Sequence, residues 1–501
     1  MLAESSRGFE RFDLRSRKVA AVRSDRERSQ RCVLHTMLAN AKAEPSQERL
    51  AELAELSTKT VTNVAKALRG PGVLAVAGRG EPLKFAPGAG LTLAVSAGSQ
   101  SVYGALVDAN GTLHCRATIE PLPDQLRGTR TALLQRIRTV AGRVLRTAFD
   151  ERSCLAEPGV LRLHGVVAAW PSLLDRQKVI QGWTMGDKSW AARDEETGKR
   201  PTVPQWLSRA LGGPFTPDVC SALRDASAQS LCLAFEDAQD RTASETFGGD
   251  WRVSLLIRLG QGLGASPILL APAAKNRMSF IDSRLIEGTS GFAGSLGHVR
   301  VEKRVIEDIN KDLVKGLARL DYDGLRCSCG KHHHLQAFVS VPGVLARVEA
   351  SDYDMPNDNQ SRARLLAEVR DGRATDAVPV HAGLDVGRIL GQALAGPVLL
   401  LDPSTITISG PLAGKPVVNG IVSERGVWGS AVADSVEVGV ADSPAGDFIG
   451  VKGAALAVIR RVVYRDFLDE GKTALPASFA VRESDVSDLV APETIAPATA
   501  V

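Results

Sequence analysis

Apolar positions in the first ninety residues recur with helical spacing in three places. From Arg31 onward, Val33, Leu34, Met37 and Leu38 fall on one helix face. Pro45-Ser46 then breaks the chain, and Ser46 is a good N-cap for a second helix carrying Leu50, Leu53 and Ala54. After Leu56-Ser57 a third helix places Val61, Val64, Ala65 and Leu68 at i, i+3, i+4 and i+7, and Arg69-Gly70-Pro71-Gly72 stops it. Two short extended runs, 73–77 and 83–86, are joined by Gly78-Arg79-Gly80-Glu81-Pro82, a hairpin signal with a basic tip. Three helices and a hairpin predict a winged helix-turn-helix over 29–88. Residues 1–28 lack apolar periodicity and read as a basic, mobile arm.

Pro87-Gly88-Ala89-Gly90 reads as a linker, and beyond it strands and helices alternate. Strands are predicted at 91–96, 103–108, 114–119 and 165–169, with a helix over 129–149. A further strand at 254–259 meets the run Gly260-Gln261-Gly262-Leu263-Gly264-Ala265. A long helical segment, 382–400, precedes a strand at 405–409 that ends in Gly410-Pro411. The pattern is α/β. It divides into a first lobe over 89–215 and a second over 216–472, with an Ala/Pro/Glu/Asp-rich tail, 473–501, expected to be disordered.

Composition narrows the class. At 501 residues the chain is too long for one core, and 44% hydrophobic with 24% charged residues excludes a disordered, collagenous or fibrous protein. The longest apolar stretch, 389–401, is too short for a membrane span and stops at Asp402-Pro403. Charge from Glu4 onward leaves no secretory h-region, and seven scattered cysteines make no disulfide framework. A cytoplasmic protein with no membrane association is expected.

The net charge of +4 is unevenly spread. Residues 1–88 hold 16 Lys/Arg against 10 Asp/Glu, whereas the remaining 413 hold 45 against 47. A basic segment on a near-neutral body points to an appended nucleic-acid-binding module. The third helix supports this. Its buried positions leave Lys59, Thr60, Thr62, Asn63 and Lys66 facing outward, and residues 57–70 contain no Asp or Glu. Amides and hydroxyls suit base edges and phosphates, lysines suit phosphates, and Arg79 at the hairpin tip suits backbone or minor groove. Asn63 is the expected reader, with the threonines as phosphate anchors. The bland reading is an ordinary solvated helix face.

Half of the eight histidines lie between His298 and His334, with Cys327-x-Cys329 among them. Zinc favours four nitrogen or sulfur ligands in a tetrahedron, so this is the sharpest candidate metal site.

Several segments, in order, resemble the ROK family of sugar-responsive repressors and sugar kinases. They are "LAELAELSTKTVTNVAKAL" (50–68), "LAVSAGSQSVYGALVDANG" (93–111), "VCSALRDASAQSLCLAFED" (219–237), "LGQGLGAS" (259–266), "GFAGSLGH" (291–298), "CSCGKHHHLQ" (327–336) and "LDPSTITISGPLA" (401–413). The resemblance implies a two-lobed actin-like ATPase (ribonuclease H-like) ROK domain behind the winged helix-turn-helix. It also implies a homodimer or homotetramer and a structural zinc held by His298, Cys327, Cys329 and His334. His332 or His333 could take the last position after a small loop shift.

Departures from the family pattern shape the expected function. The first phosphate loop reads Ser96-Ala97-Gly98-Ser99-Gln100, with Ser96 where kinases of the family carry a metal-holding aspartate. Asp225 falls at the position of the family's general base, but its usual Asn neighbour is Arg224. That guanidinium is expected to hold Asp225 ionised, which favours a salt bridge over proton abstraction. Ser295 and Gln336 replace two sugar-binding glutamates. Asp225, Ser295, His298 and Gln336 are the expected effector contacts. Together these features predict a non-enzymatic, double-stranded-DNA-binding repressor or other regulator that answers to a sugar or sugar-phosphate effector. The alternatives are an active ATP-dependent sugar kinase with an appended DNA-binding domain, and a constitutive DNA-binding protein whose kinase-like body only dimerises.

Overall fold

The computed structural model describes residues 25–40, 45–69, 73–75, 81–86, 88–98, 101–119, 129–150, 156–157, 159–181, 193, 198–240, 250–272, 279–351, 359–372, 377–469, 478–487 and 489. Of the features read from sequence, residues 1–24 of the arm, Arg79 at the hairpin tip, and Ser99-Gln100 of the first loop lie outside them.

The N-terminal unit holds α1 (Asp25–Ala39), α2 (Gln47–Ala54) and α3 (Thr58–Arg69). Ser46 caps α2 by accepting a hydrogen bond from the Arg49 amide, and Ser57 does the same for Thr60 at the start of α3. Val61, Val64, Ala65 and Leu68 are buried as their spacing requires. Helix α1 starts inside the segment read as an arm. Its first two turns, Asp25 to Arg31, carry no apolar side chain, so no periodicity marks them. After α3 the chain pairs with itself at the antiparallel bridge Leu74–Phe85, flanked by hydrogen bonds from Ala75 to Lys84 and from Ala86 to Val73.

Two five-stranded mixed sheets follow. The first comprises β1 (Thr92–Ala97), β2 (Val102–Val107) and β3 (Leu113–Ile119), then α4 (Arg130–Asp150), β4 (Ala156–Glu157), β5 (Val160–Leu163), β6 (Gly165–Trp170), α5 (Val203–Leu211) and β7 (Cys220–Arg224), in the order β3-β2-β1-β6-β7. Helix α6 (Asp225–Asp240) leads to β8 (Arg252–Leu259), β9 (Leu263–Leu270), α7 (Ser279–Asp282) and β10 (Arg284–Leu285). Helices α8 (Lys303–Lys311), α9 (Leu335–Val339), α10 (Val341–Glu349), α11 (Asn359–Asp371), α12 (Ala377–Ala393) and α13 (Ala395–Leu401) precede β11 (Pro403–Ser409). Then come α14 (Lys415–Ser423), α15 (Ser430–Ala433), β12 (Glu437–Val440) and α16 (Ile449–Ile459), completing the second sheet, β10-β9-β8-β11-β12. Each sheet is three antiparallel strands followed by two parallel ones. This is one design used twice, which no sequence repeat reveals.

Four elements differ from the sequence expectation. The glycine run after β8 turns into an antiparallel strand, β9, which the sequence pattern does not mark, with the Gly260 amide donating to the Gly262 carbonyl. The expected helix over 382–400 is two helices, bent by 50°. Pro397 has no amide hydrogen to continue the ladder there. The tail is not structureless throughout: β13 (Phe479–Arg482) pairs antiparallel with β5, and α17 (Glu483–Ser487) follows. Its buried Val481 supplies the apolar anchor. Finally, β7 and α16 pack with the first sheet although both fall within 216–472.

Three cores result. One lies between α4, α5 and the first sheet, and one fills the second lobe. The third joins Val33, Leu50, Val61 and Phe85 of the N-terminal unit to Phe235, Phe280 and Tyr464 of the lobe. Asn110 at the β2–β3 turn donates to the Phe85 carbonyl, and the buried Tyr464 hydroxyl donates to the Ala109 carbonyl. No single helix among the described residues is long and apolar enough to cross a membrane.

Candidate functional site

The lobes enclose a cleft of about 870 Å³ whose walls come from the ends of β1, β7 and β8, the glycine turn, the His298 turn and the start of α16. Pockets of about 300–1,000 Å³ hold small ligands. Ser96, at the end of β1, sits half-buried against Gly450, so a neutral hydroxyl occupies this wall.

Asp225 begins α6. Its Oδ1 accepts the Ala226 amide at 2.8 Å, and its Oδ2 lies 3.2 Å from Nε of Arg258. The ion-pair partner is therefore Arg258 on β8, not the chain neighbour Arg224 expected to fill that role. Adjacent residues on a strand end point apart, so Arg224 reaches Asp225 only as a more distant charge. Arg224 is 7% exposed. Burial pulls its guanidinium below the ordinary arginine range, while Glu287 and Asp225 oppose the shift. An arginine two positions before a glycine turn, in the otherwise apolar run Leu255-Leu256-Ile257-Arg258-Leu259, was the sequence signal for this contact.

Ser295 donates to the Phe292 carbonyl and precedes a 3-10 turn, Leu296–His298. Gly294 before it has φ +82° and approaches Ala265 so closely that a Cβ would lie 2.0 Å from its carbonyl oxygen. Only glycine fits this turn against β9. Gln336 is buried at the start of α9. It donates to Ser328 Oγ at 2.8 Å and accepts the Leu263 amide at 3.4 Å, tying the glycine turn to the cysteine loop. Asp225, Ser295, His298 and Gln336 thus line one cleft.

The ligating atoms of His298, Cys327, Cys329 and His334 all lie within 4.8 Å of one another. Nδ1 of His298 and His334 are 3.3 Å apart, Cys329 Sγ is 3.3 Å from His334 Nδ1, and Cys327 Sγ is 3.8 Å from His298 Nδ1. A tetrahedron with bonds of roughly 2.0–2.3 Å has edges of about this size, so the donor set fits zinc. Burial, with His298, Lys331 and His333 nearby, pulls His334 below the ordinary histidine range and favours the neutral, ligating imidazole. The neighbouring histidines are used otherwise. His333, at φ 65°, contacts Asp323 at 2.9 Å and stacks on Tyr322, and the backbone of His332 pairs with that of Arg326.

On α3, Lys59, Asn63 and Lys66 are exposed. Thr60 shares a hydrogen bond with Ser57, and Thr62 donates to Gln47, so both hydroxyls already have partners.

Residues 225–461 match the ROK family. A curated relative, N-acetyl-D-glucosamine kinase of Pectobacterium carotovorum subsp. carotovorum (strain PC1), is 24% identical over 260 residues, covering 50% of this chain and 72% of that protein. Among solved structures, a ROK family transcriptional regulator, a homolog of the E. coli MLC protein, superposes with a TM-score of 0.54 at 16% identity, covering 89% of this chain and 98% of that one. A ROK family glucokinase from Streptomyces griseus, in complex with glucose and AMPPNP, gives 0.48 at 18% identity over 74% and 99%. The match to the regulator structure shows the fold: a two-lobed actin-like ROK domain preceded by N-terminal helices. The His-Cys cluster is consistent with the zinc motif of this family.

Proposed function

We propose that this chain is a DNA-binding transcriptional regulator, a repressor-type switch whose ROK-like domain binds a sugar-derived effector without catalysing phosphoryl transfer. The observation that carries the reading is the outward face of α3: Lys59, Asn63 and Lys66 exposed on a helix with no acidic residue, packed on a core shared with the cleft-bearing lobe. Thr60, Thr62 and Arg79 complete the proposed DNA contacts. A homodimer or homotetramer would present two such faces to a palindromic operator of double-stranded DNA. Effector contacts are assigned to Asp225, Ser295, His298 and Gln336, and a structural zinc to His298, Cys327, Cys329 and His334.

Helix α6 supports a route between the two functions. It starts at Asp225 in the cleft, and its Phe235 lies in the core that includes α1 and α3. Sixteen residues at 1.5 Å each carry a displacement about 24 Å along one rigid element.

The rival reading, a sugar kinase with an appended DNA-binding unit, is favoured by the retained Asp225 and the glycine turn lining the cleft. Against it stand Ser96 and the Arg258 partner of Asp225, which leave the cleft without a free carboxylate at either position. ATP-dependent phosphorylation assayed across glucose, N-acetylglucosamine and N-acetylmannosamine separates the two. The regulator reading expects no turnover, and turnover abolished by Asp225→Asn would establish the kinase.

A further inference from the structure

The cleft carries more positive charge around Asp225 than a neutral sugar needs. Arg224 and Arg258 both line it, the first preceding Asp225 in the chain and the second 3.2 Å from its carboxylate. Asp225 is matched by Arg258 at 3.2 Å, and Glu287, the other acid acting on Arg224, is matched by Lys178 at 3.7 Å. One guanidinium, that of Arg224, is left over. Its side chain is more than nine-tenths buried, and its Nη2 meets no hydrogen-bond partner among the described residues. Nε of Arg258 is also buried without one, since its approach to Asp225 is close but not aligned as a hydrogen bond.

The second guanidinium is held against the glycine turn. Nη1 of Arg258 lies 2.5 Å from where a Cβ on Gly260 would stand, so the turn leaves that space to the arginine head. Elsewhere in the cleft, Arg370 faces Asp371 and Asp447, and Asp442, which also lines it, is not among the acids acting on Arg224. The surplus is thus localised at Arg224 and Arg258. Buried unsatisfied donors on a charged group are costly, and an oxyanion that accepts from both guanidinia removes that cost.

We propose that the cleft ligand is an anionic sugar, a sugar phosphate or a sugar acid, whose oxyanion is held by Arg224 and Arg258. This rests on the effector-cleft reading above and adds the chemical class. The sugar ring would then lie toward Ser295, His298 and Gln336.

The test is calorimetric titration of the intact chain with glucose, mannose and N-acetylglucosamine, with their 6-phosphates, and with gluconate and glucuronate. We expect at least one anionic member to bind about tenfold or more tightly than its neutral counterpart, with the advantage falling as salt rises. The phosphate and acid arms show which oxyanion is preferred. Arg224→Gln and, separately, Arg258→Gln should remove the advantage. The second variant and the wild-type salt dependence keep the test valid should the first fail to fold. Neutral sugars binding as well as their anionic partners would overturn the anion assignment while leaving the effector cleft intact. Binding of no member would overturn both. ATP bound more tightly than any sugar, with phosphoryl transfer to glucose, would return the cleft to kinase chemistry.

Discussion

Nε of Arg258 lies 3.2 Å from Oδ2 of Asp225 in the wall of the interlobe cleft. A carboxylate that abstracts a proton must be free to approach the substrate hydroxyl, and this one faces a cation from the neighbouring sheet. Ser96→Asp alone should therefore give no sugar phosphorylation, because it restores charge on one wall without releasing Asp225. A coupled ATP assay with the sugar panel checks this, and measurable turnover in the single variant would show that the ion pair does not silence the site.

The His-Cys cluster predicts about one zinc per chain in protein purified without chelator, measured by elemental analysis. Cys327→Ser should lose the metal and lower the melting temperature, since structural zinc contributes directly to folding. The cysteine loop is also tied through Gln336 to the glycine turn, so metal loss should weaken effector binding as well. Full zinc occupancy in Cys327→Ser would refute the ligand set.

Arg347 and Asp385 form a buried pair at 2.8 Å between α10 and α12. Burial pulls the arginine below its ordinary range and pushes the carboxyl above its own, with each partner opposing the other's shift. Removing one member leaves the other charge buried. Asp385→Ala should destabilise the second lobe by about 3–5 kcal/mol in denaturant unfolding, against well under that for the exposed Lys303–Glu307 pair.

Tyr464→Phe tests the lobe side of the core shared with the N-terminal unit. The hydroxyl is fully buried and donates to the Ala109 carbonyl, so its loss leaves that acceptor unsatisfied, at about 1–3 kcal/mol. Effector-dependent change in DNA affinity should shrink while unliganded affinity holds. An unchanged effector response would place the coupling elsewhere.

Where periodicity carried the information, the fold was legible: α3 and its four buried positions, Ser46 as a cap, and the strand before the glycine run. It failed where the physics was not periodic. The start of α1 has no apolar face, and β9 carries Gly264 near its start and Pro267 at its middle, both poor strand signals. The ligand cluster was visible because zinc chemistry restricts residue type and spacing. The Arg258 contact was not, because it joins β8 to the start of α6, and sequence proximity favoured Arg224 instead.

The central claim is that α3 reads DNA. The measurement is affinity of the intact chain, its Asn63→Ala variant and its Lys66→Ala variant for the double-stranded DNA upstream of its own coding region, across a salt series. Asn63→Ala should relax sequence preference by about 1–3 kcal/mol at the base it reads, and Lys66→Ala should weaken binding to every sequence and flatten the salt slope. Both variants binding with wild-type affinity, preference and slope would contradict the account.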